Sequence, residues 1–544
     1  MLQTFSAKRI LGLVLILSGC FAITAIAQPD LDQRSLAQAN GHIPRQQELE
    51  DLVNKSALIV RGQVSQTEFY WQSDERGRHI YTKVTIQPIT WLIGKPGEEP
   101  LMLEVVGGTV DEMTETVSSV PAFRDGEESI LFLTGSPYLL VDGHRGKLNV
   151  YEGKVYWGGA ELSAEAFLEV LELITAGLSP ESVWKRERQR LEAAPLAGAP
   201  VIKSITPNKA SAGTNTQVTI IGSNFGADQG TGKVEFFWAP DEPNVVAYIV
   251  SWSNNTRIVC TVPVGEVNQE QASAGSGPVT VKTSSGTSKG IKFLVTFGYG
   301  GCQWPSTSLP VKYYINENAP DCTGVGSAIR RAASTWKNAA GGRFSFEEKD
   351  SHNLTVPDLK SGKNEVMWGS IPDNPTAVAV TYSTYNWQTN ILLECDLVFN
   401  SSYSWSTDTI PSWNRWDVES VALHELGHWL KLKDLYGDVG DGEYDVDKVM
   451  YGFREAGETR RVLHADDVSG IKWIYPAYID IGLRVYDGTA IISIACEPAG
   501  TLTSPLRIAK NGIIYGIVLV DPSDPDATGI RVQTSAGVKA LRKY

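Results

Sequence analysis

Residues 421–434 read "VALHELGHWLKLKD", and the two histidines set four apart in that run constrain the chain more than any other feature. On a helix, His424 and His428 stand on one face, one turn apart, at a reach suited to one small ion. Glu425 projects beside them, placed to touch a water on that ion and not the ion itself. Val418, Val421, Ala422, Leu426 and Trp429 are apolar, so the spacing predicts a buried helix over 417–430. Neutral imidazoles suit zinc, and two of them leave room for a third ligand plus water. The same spacing also arises by chance on surface helices, so the neighbouring segments have to decide.

A chain of 544 residues is too long for one ordinary core, which sets an expectation of three to five domains. With 51 Gly and 27 Pro among abundant Val, Ile and Thr, most of these should be β-rich. The net charge of −14 is spread without a long basic run, which argues against nucleic acid as a partner. The N-terminus, "MLQTFSAKRILGLVLILSGCFAITAIAQPD", has Lys8 and Arg9 before an apolar run that ends in Ala25-Ile26-Ala27. That layout is a secretory signal over 1–27, and Leu17-Ser18-Gly19-Cys20 offers a second reading in which Cys20 is lipidated at a membrane surface. Either way the protein is expected outside the cytoplasm, secreted or at the cell surface.

Five cysteines remain after that segment, none in a CxxC pair, so thiolate zinc sites have no support. Cys302 and Cys322 are placed to bridge in an oxidising compartment. Residues 28–185 combine a loose leader, a short helix "QQELEDLVNKS", and alternating runs such as "ALIVRGQVSQTEFYW" and "LMLEVVGGTV". Period-2 alternation predicts a small antiparallel sheet or barrel, followed by a helix with Phe167, Val170, Leu171 and Ile174 on one stripe. The charged stretch "WKRERQRLEAAPLAGAP" reads as a linker. The last module, 478–544, is again short strands with Gly and Pro turns.

Residues 200–296 begin "VIKSITPNKASAGTNTQVTIIGSNFG", and this stretch resembles the TIG (IPT) group of immunoglobulin-like sandwiches. Ile205, Pro207, Gly213, Val218, Ile220, Gly222, Asn224, Phe225, Gly226, Pro263, Gly277 and Val279 carry the likeness. Asn-Phe-Gly after a strand suits a turn that needs positive φ. Such sandwiches serve as spacers and as binding modules alike.

Around the histidine pair, Asp434 falls six residues after His428, and Met450 follows in "DKVMYG". Upstream lie the strand "LPVKYYIN", a helix with Ile329, Ala333 and Trp336 on one face, and "ECDLVFN"; downstream lies "RRVLHADDVSGIKWIYP". Residues 298–477 thereby resemble matrixin-like bacterial metalloproteases of the metzincin group. The resemblance implies an α+β metzincin catalytic domain in a multidomain chain, flanked by all-β modules that include the Ig-like sandwich. It implies zinc held by His424, His428 and Asp434, with Glu425 as general base of peptide hydrolysis. It also implies a protein or peptide substrate extended along "LLECDLVFN".

One position departs from the pattern. Lys431 stands where metzincins have a glycine that turns the chain out of the helix. A lysine takes the left-handed conformation only at a cost on the order of 1 kcal/mol, so either the turn is made differently, or the helix runs on and another carboxylate, Asp438 before others, replaces Asp434. His464 reads as a helix cap, and the acidic "GDVGDGEYDVD" leaves calcium open, although it lacks EF-hand spacing. No counterpart of the inhibitory cysteine segment of animal matrixins occurs in the N-terminal part. A rival reading is a surface adhesion or scaffold protein whose protease-like domain only binds, with the β modules contacting a cell surface or matrix. The intact Glu425 weighs against it, because binding alone has no chemical need of that carboxylate.

Overall fold

The alternating runs of the first segment pair into a five-stranded antiparallel sheet in the order Leu101–Val106, Gly77–Ile93, Leu58–Asp74, Glu128–Leu133, Lys147–Val150. The computed structural model describes residues 46–476, apart from 75–76, 95–99, 119, 152, 158–159, 193–197, 240–242, 268–269 and 438–444, together with parts of 484–542. The secretory layout and Cys20 lie outside the described residues. Within this sheet Val60, Val64, Val84, Ile86, Leu103 and Leu131 form one apolar face. The helix Ala164–Thr175 is capped by Ser163 Oγ, which accepts from Ala166 N at 3.1 Å, and it buries Phe167, Val170 and Leu171. No described helix is long and apolar enough to cross a membrane.

Two expectations for this segment fail. The stretch read as a linker is helical over Glu181–Glu192, anchored by the buried Val183 and Trp184 and by Arg186 on Glu169 at 2.8 Å. Its run of charges hid a short apolar stripe. The run "LMLEVVGGTV" is not one strand either: the chain breaks at Gly107 (φ 105°) and Gly108 (φ 132°). A Cβ on Gly108 would stand 2.5 Å from the Phe69 ring, so the break requires glycine there. After it, Gly108–Val110 and Met113–Val117 form a hairpin that leaves the N-terminal sheet altogether.

The TIG-like segment is a sandwich. Val201–Thr206, Gln217–Ser223, Arg257–Thr261 and Ile249–Ser253 make one sheet, and Lys209–Ala212, Ile291–Tyr299, Gly277–Thr283, Lys233–Phe236 and Val245–Val246 the main path of the other. Between them pack Val218, Ile220, Phe236, Ile258, Val279 and Phe293. The Asn-Phe-Gly turn has Asn224 at φ 61° and Gly226 at φ 94°, as its composition requires.

The next segment holds a mixed sheet in the order Phe346–Glu348, Val311–Ile315, Asn364–Gly369, Ile391–Asn400, Ala379–Asn386. The first four strands are parallel and Ala379–Asn386 runs antiparallel to its neighbour. The hairpin strand Met113–Val117 is added antiparallel to Ala379–Asn386, so the N-terminal segment completes this sheet. Three helices accompany it: Val325–Ala340, Val418–His428 and Ala465–Ile474. Trp336, Trp368, Phe399, Trp405, Leu426, Trp429 and Ile471 fill the shared core.

The sandwich and this segment are joined by buried polar groups. The Asp445 carboxylate, fully buried, accepts from Ser276 N at 3.0 Å, Ser276 Oγ at 2.8 Å, Gly437 N at 2.9 Å and Lys448 Nζ at 2.8 Å. Cys302 and Cys322 do not bridge; both are free thiols. Cys302 lies near Lys431 and Lys433, whereas Cys322 sits among Asp321, Asp408 and Arg415, so the two occupy different neighbourhoods.

Candidate metal centre

The histidine helix spans Val418–His428 and is buried on nearly every side. Asp417 caps it, its carboxylate accepting from Ser420 N at 2.9 Å, and Arg461 Nε donates to the same carboxylate at 2.9 Å. Trp336 Nε1 donates to Leu423 O at 2.7 Å and ties this helix to Val325–Ala340. Gly427 is required by packing, because a Cβ there would meet Met450 Sδ at 2.2 Å. The methionine therefore packs directly against the histidine helix at Gly427.

The helix ends in a turn on which the whole site depends. Lys431 adopts φ 59°, so the chain neither turns differently nor runs on as helix: a lysine takes the left-handed turn itself. Its carbonyl accepts from Gly300 N at 2.8 Å, and Leu432–Lys433 then pair with Gly298–Tyr299, the last strand of the sandwich. That turn and pairing bring the next residue, Asp434, back over the helix. Its Oδ1 lies 3.1 Å from His424 Nε2 and its Oδ2 3.5 Å from His428 Nε2.

Both imidazoles are oriented by carbonyls. His424 Nδ1 donates to Val449 O at 2.8 Å and His428 Nδ1 to Leu432 O at 2.9 Å, which leaves both Nε2 atoms as acceptors facing Asp434. Val449 is fixed in turn by Asp467, which accepts from Val449 N and from His464 N, each at 2.9 Å. His464 itself caps the helix Ala465–Ile474. Asp434 Oδ1 is buried without a hydrogen-bond donor, so three lone-pair groups converge with no proton among them. A divalent cation satisfies such a set, and its donor types suit zinc.

Glu425 is buried beside this cluster, its Oε2 accepting from Thr381 Oγ1 at 2.7 Å. Ligand atoms of His424, Glu425 and His428 lie within 4.8 Å of one another, so two carboxylates stand near the imidazoles. Asp434 is the one that touches both, while Glu425 has an oxygen engaged by Thr381. Burial raises the Glu425 carboxyl, opposed by His428 and by the Thr381 hydrogen bond. Burial works against the charge on Asp434 too, but positive charge on the imidazoles, His428 first, outweighs it and holds the group below the usual carboxylate range, a role a bound cation takes when the rings are neutral. Burial lowers His428, favouring the neutral ligand form.

Other expectations fare differently. The strand Ile391–Asn400 cannot receive a substrate, because it is interior: Asn364–Gly369 flanks it on one side and Ala379–Asn386 on the other. Alternation alone does not distinguish an interior strand from the one beside the cleft. Of the acidic loop, Asp438 lies outside the described residues, and Asp445 is already committed to Ser276, Gly437 and Lys448, so nothing here supports calcium. Tyr451 is buried and packs on Phe453. Thr381 was not legible as a site residue, since only the fold brings it to Glu425. A cavity of about 970 Å³ opens beside the centre, lined by His424, Glu425, His428 and Asp434 and, across it, by Thr114 and Thr116.

Two segments of the chain match known families. Residues 303–476 match the Matrixin family and residues 200–299 the IPT/TIG domain. The chain thus carries a matrixin domain directly preceded by a TIG domain. No curated protein matches the chain. Among solved structures, an auxiliary nutrient binding protein from Bacteroides thetaiotaomicron is similar at 17% identity and a TM-score of 0.14, over 20% of this chain and 25% of that one. A structural genomics protein of unknown function from the same organism gives 14% identity and a TM-score of 0.15, over 23% and 28%. This chain therefore spans about a quarter of the length of those structures.

Proposed function

We propose that the chain is a secreted zinc-dependent endopeptidase, with His424, His428 and Asp434 as metal ligands and Glu425 as general base. The observation that carries this reading is the convergence of His424 Nε2, His428 Nε2 and the donorless Asp434 Oδ1 beside a buried Glu425. Zinc, when bound there, supplies the Lewis acidity that makes water a nucleophile near neutral pH. Glu425 takes the proton from that water as it attacks the scissile carbonyl carbon, and returns it to the nitrogen of the leaving amine. Thr381 keeps the Glu425 carboxylate in one orientation and favours its charged form. Val449 O and Leu432 O fix the rings so that each presents Nε2. The matrixin match supports a peptide as substrate, and the TIG domain supports contact with other proteins.

The test is digestion of casein or a peptide library by the zinc-supplemented chain and by Glu425→Ala. Cleavage by the parent that the variant loses while it still binds zinc is the expected outcome. An inert parent that nevertheless binds zinc would favour the scaffold reading.

A further inference from the structure

The strand Ala379–Asn386 leads past the metal centre, since Thr381 near its start touches Glu425. A strand in this position offers a row of N–H and C=O groups to an extended chain. Met113–Val117 takes that row, in the antiparallel register Tyr382↔Val117, Ser383↔Thr116, Thr384↔Glu115, Tyr385↔Thr114, Asn386↔Met113. Bonds at both ends continue it: Trp387 N donates to Glu112 O and Ser118 N to Thr381 O, each at 3.2 Å. The N-terminal segment therefore occupies the course an extended peptide would follow.

The two faces of this docked strand meet different surroundings. Glu115 turns to its own sheet, where its carboxylate accepts from Ile80 N at 2.6 Å and pairs with His79 Nδ1 at 2.8 Å. Thr116 turns the other way, and its Oγ1 accepts from Lys431 Nζ at 3.3 Å. Lys431 is only 8% exposed, and its ammonium lies 5.1 Å from the Tyr385 ring. Among the described residues no carboxylate lies within ion-pairing distance of Lys431. A buried ammonium whose neighbours are one hydroxyl, one ring and the Cys302 and Cys395 thiols is under-compensated, and a carboxylate is the group that would complete it. An aspartate side chain reaches one bond further than the threonine hydroxyl already in contact.

We propose that Lys431 is a specificity-determining residue, the floor of a subsite that selects Asp or Glu at the place Thr116 holds, in a peptide slot that the chain's own strand Met113–Val117 now fills. This rests on the protease reading and names its substrate class: extended peptides with an acidic residue at that position. A substrate must displace the docked strand, so the strand competes with it.

The test uses the full chain with zinc, carrying Glu425→Ala so that peptides stay intact and Thr114→Pro to loosen the docked strand. Thr114 shares the ladder phase of Glu112 and Ser118, whose backbone groups bond across it, so proline there removes a donor. Fluorescence anisotropy reads the binding of labelled Met-Thr-Glu-X-Val with Asp, Thr or Lys at X. The Asp peptide should bind about tenfold tighter than the Thr peptide, a preference of about 1.4 kcal/mol, with the Lys peptide weakest. Lys431→Met should bring the Asp and Thr peptides within about twofold of each other. Equal binding of the Asp and Lys peptides, an Asp preference that survives Lys431→Met, or no binding at all overturns the proposal.

A second measurement needs no proline. Thr116→Asp in the full chain should slow amide exchange across Ala379–Asn386 about tenfold, and Lys431→Met should remove that slowing; unchanged exchange in Thr116→Asp also overturns it. Asp-selective binding without hydrolysis of any peptide by the Glu425 parent would sink the protease reading alone. Hydrolysis with no preference at this position would sink the subsite alone.

Discussion

Thr381 donates its hydroxyl to the Glu425 carboxylate at 2.7 Å, while its own carbonyl accepts from Ser118 N at 3.2 Å. One residue thus touches both the proposed base and the strand that covers the peptide slot. Thr381→Val removes the hydroxyl with little change of shape. Burial already raises the Glu425 carboxyl, and the Thr381 bond opposes that rise, so its loss raises the group further. The base form exists only above that pKa. The acid limb of the kcat/KM profile should therefore move to higher pH, with kcat/KM near neutrality down by about tenfold, as expected for a hydrogen bond to a charged group. A profile with an unshifted acid limb would remove Thr381 from the mechanism.

Lys431 carries a left-handed backbone (φ 59°) together with side-chain contacts to Thr116 and Tyr385. Lys431→Ala keeps the backbone cost and loses the contacts; Lys431→Gly loses both. Glycine should therefore be the more stable of the two by about 1 kcal/mol in chemical denaturation. Equal stabilities would mean that the turn relaxes without its lysine.

Much of this was legible from residue order, for physical reasons that also explain the failures. Two histidines four apart on an apolar run have few alternatives to a buried helix, and Val418–His428 is one. The turn at 431 was a fork between two backbone paths. Local propensity disfavours the path taken; pairing of Leu432–Lys433 with Gly298–Tyr299 and the Gly300 bond to Lys431 O outweigh it, and both partners lie more than 100 residues upstream. The docked strand Met113–Val117 was invisible because its register joins residue 117 to residue 382, a pairing no local pattern encodes. The same ignorance of neighbours made Ile391–Asn400 look accessible, although it is central.

Asp445 holds Lys448 and the Ser276 turn together where the sandwich meets the matrixin domain. Lys448 is 1% exposed and would keep only Asp466 Oδ2, at 3.4 Å, as a carboxylate partner, so Asp445→Ala leaves a buried ammonium under-paired. Destabilisation of about 3–5 kcal/mol is expected by thermal or chemical denaturation. Asp445→Ala together with Lys448→Met should recover part of it. A single variant as stable as the parent would show that the joint does not depend on this pair.

Glu394, in the central strand, is pushed up to about 7 by burial, against hydrogen bonds from Ser361 and Gly362. Its folded pKa exceeds its unfolded one, so the folded state binds the extra proton between about 4.5 and 7. That contribution to stability is complete below the unfolded pKa and is lost as pH rises through the folded one. Glu394→Gln should flatten the decline in stability across this window and gain on the order of 2–3 kcal/mol at pH 8. Parallel pH dependences of parent and variant, by urea titration, would contradict this.

The central claim is that His424, His428 and Asp434 together hold one zinc ion, and zinc titration of the metal-stripped full chain by calorimetry tests it most directly. The parent should bind one equivalent, and Asp434→Ala, with its fold intact by circular dichroism, should bind at least tenfold more weakly. A parent that takes up no zinc, or an Asp434→Ala chain that binds it as tightly as the parent, would contradict the assigned centre.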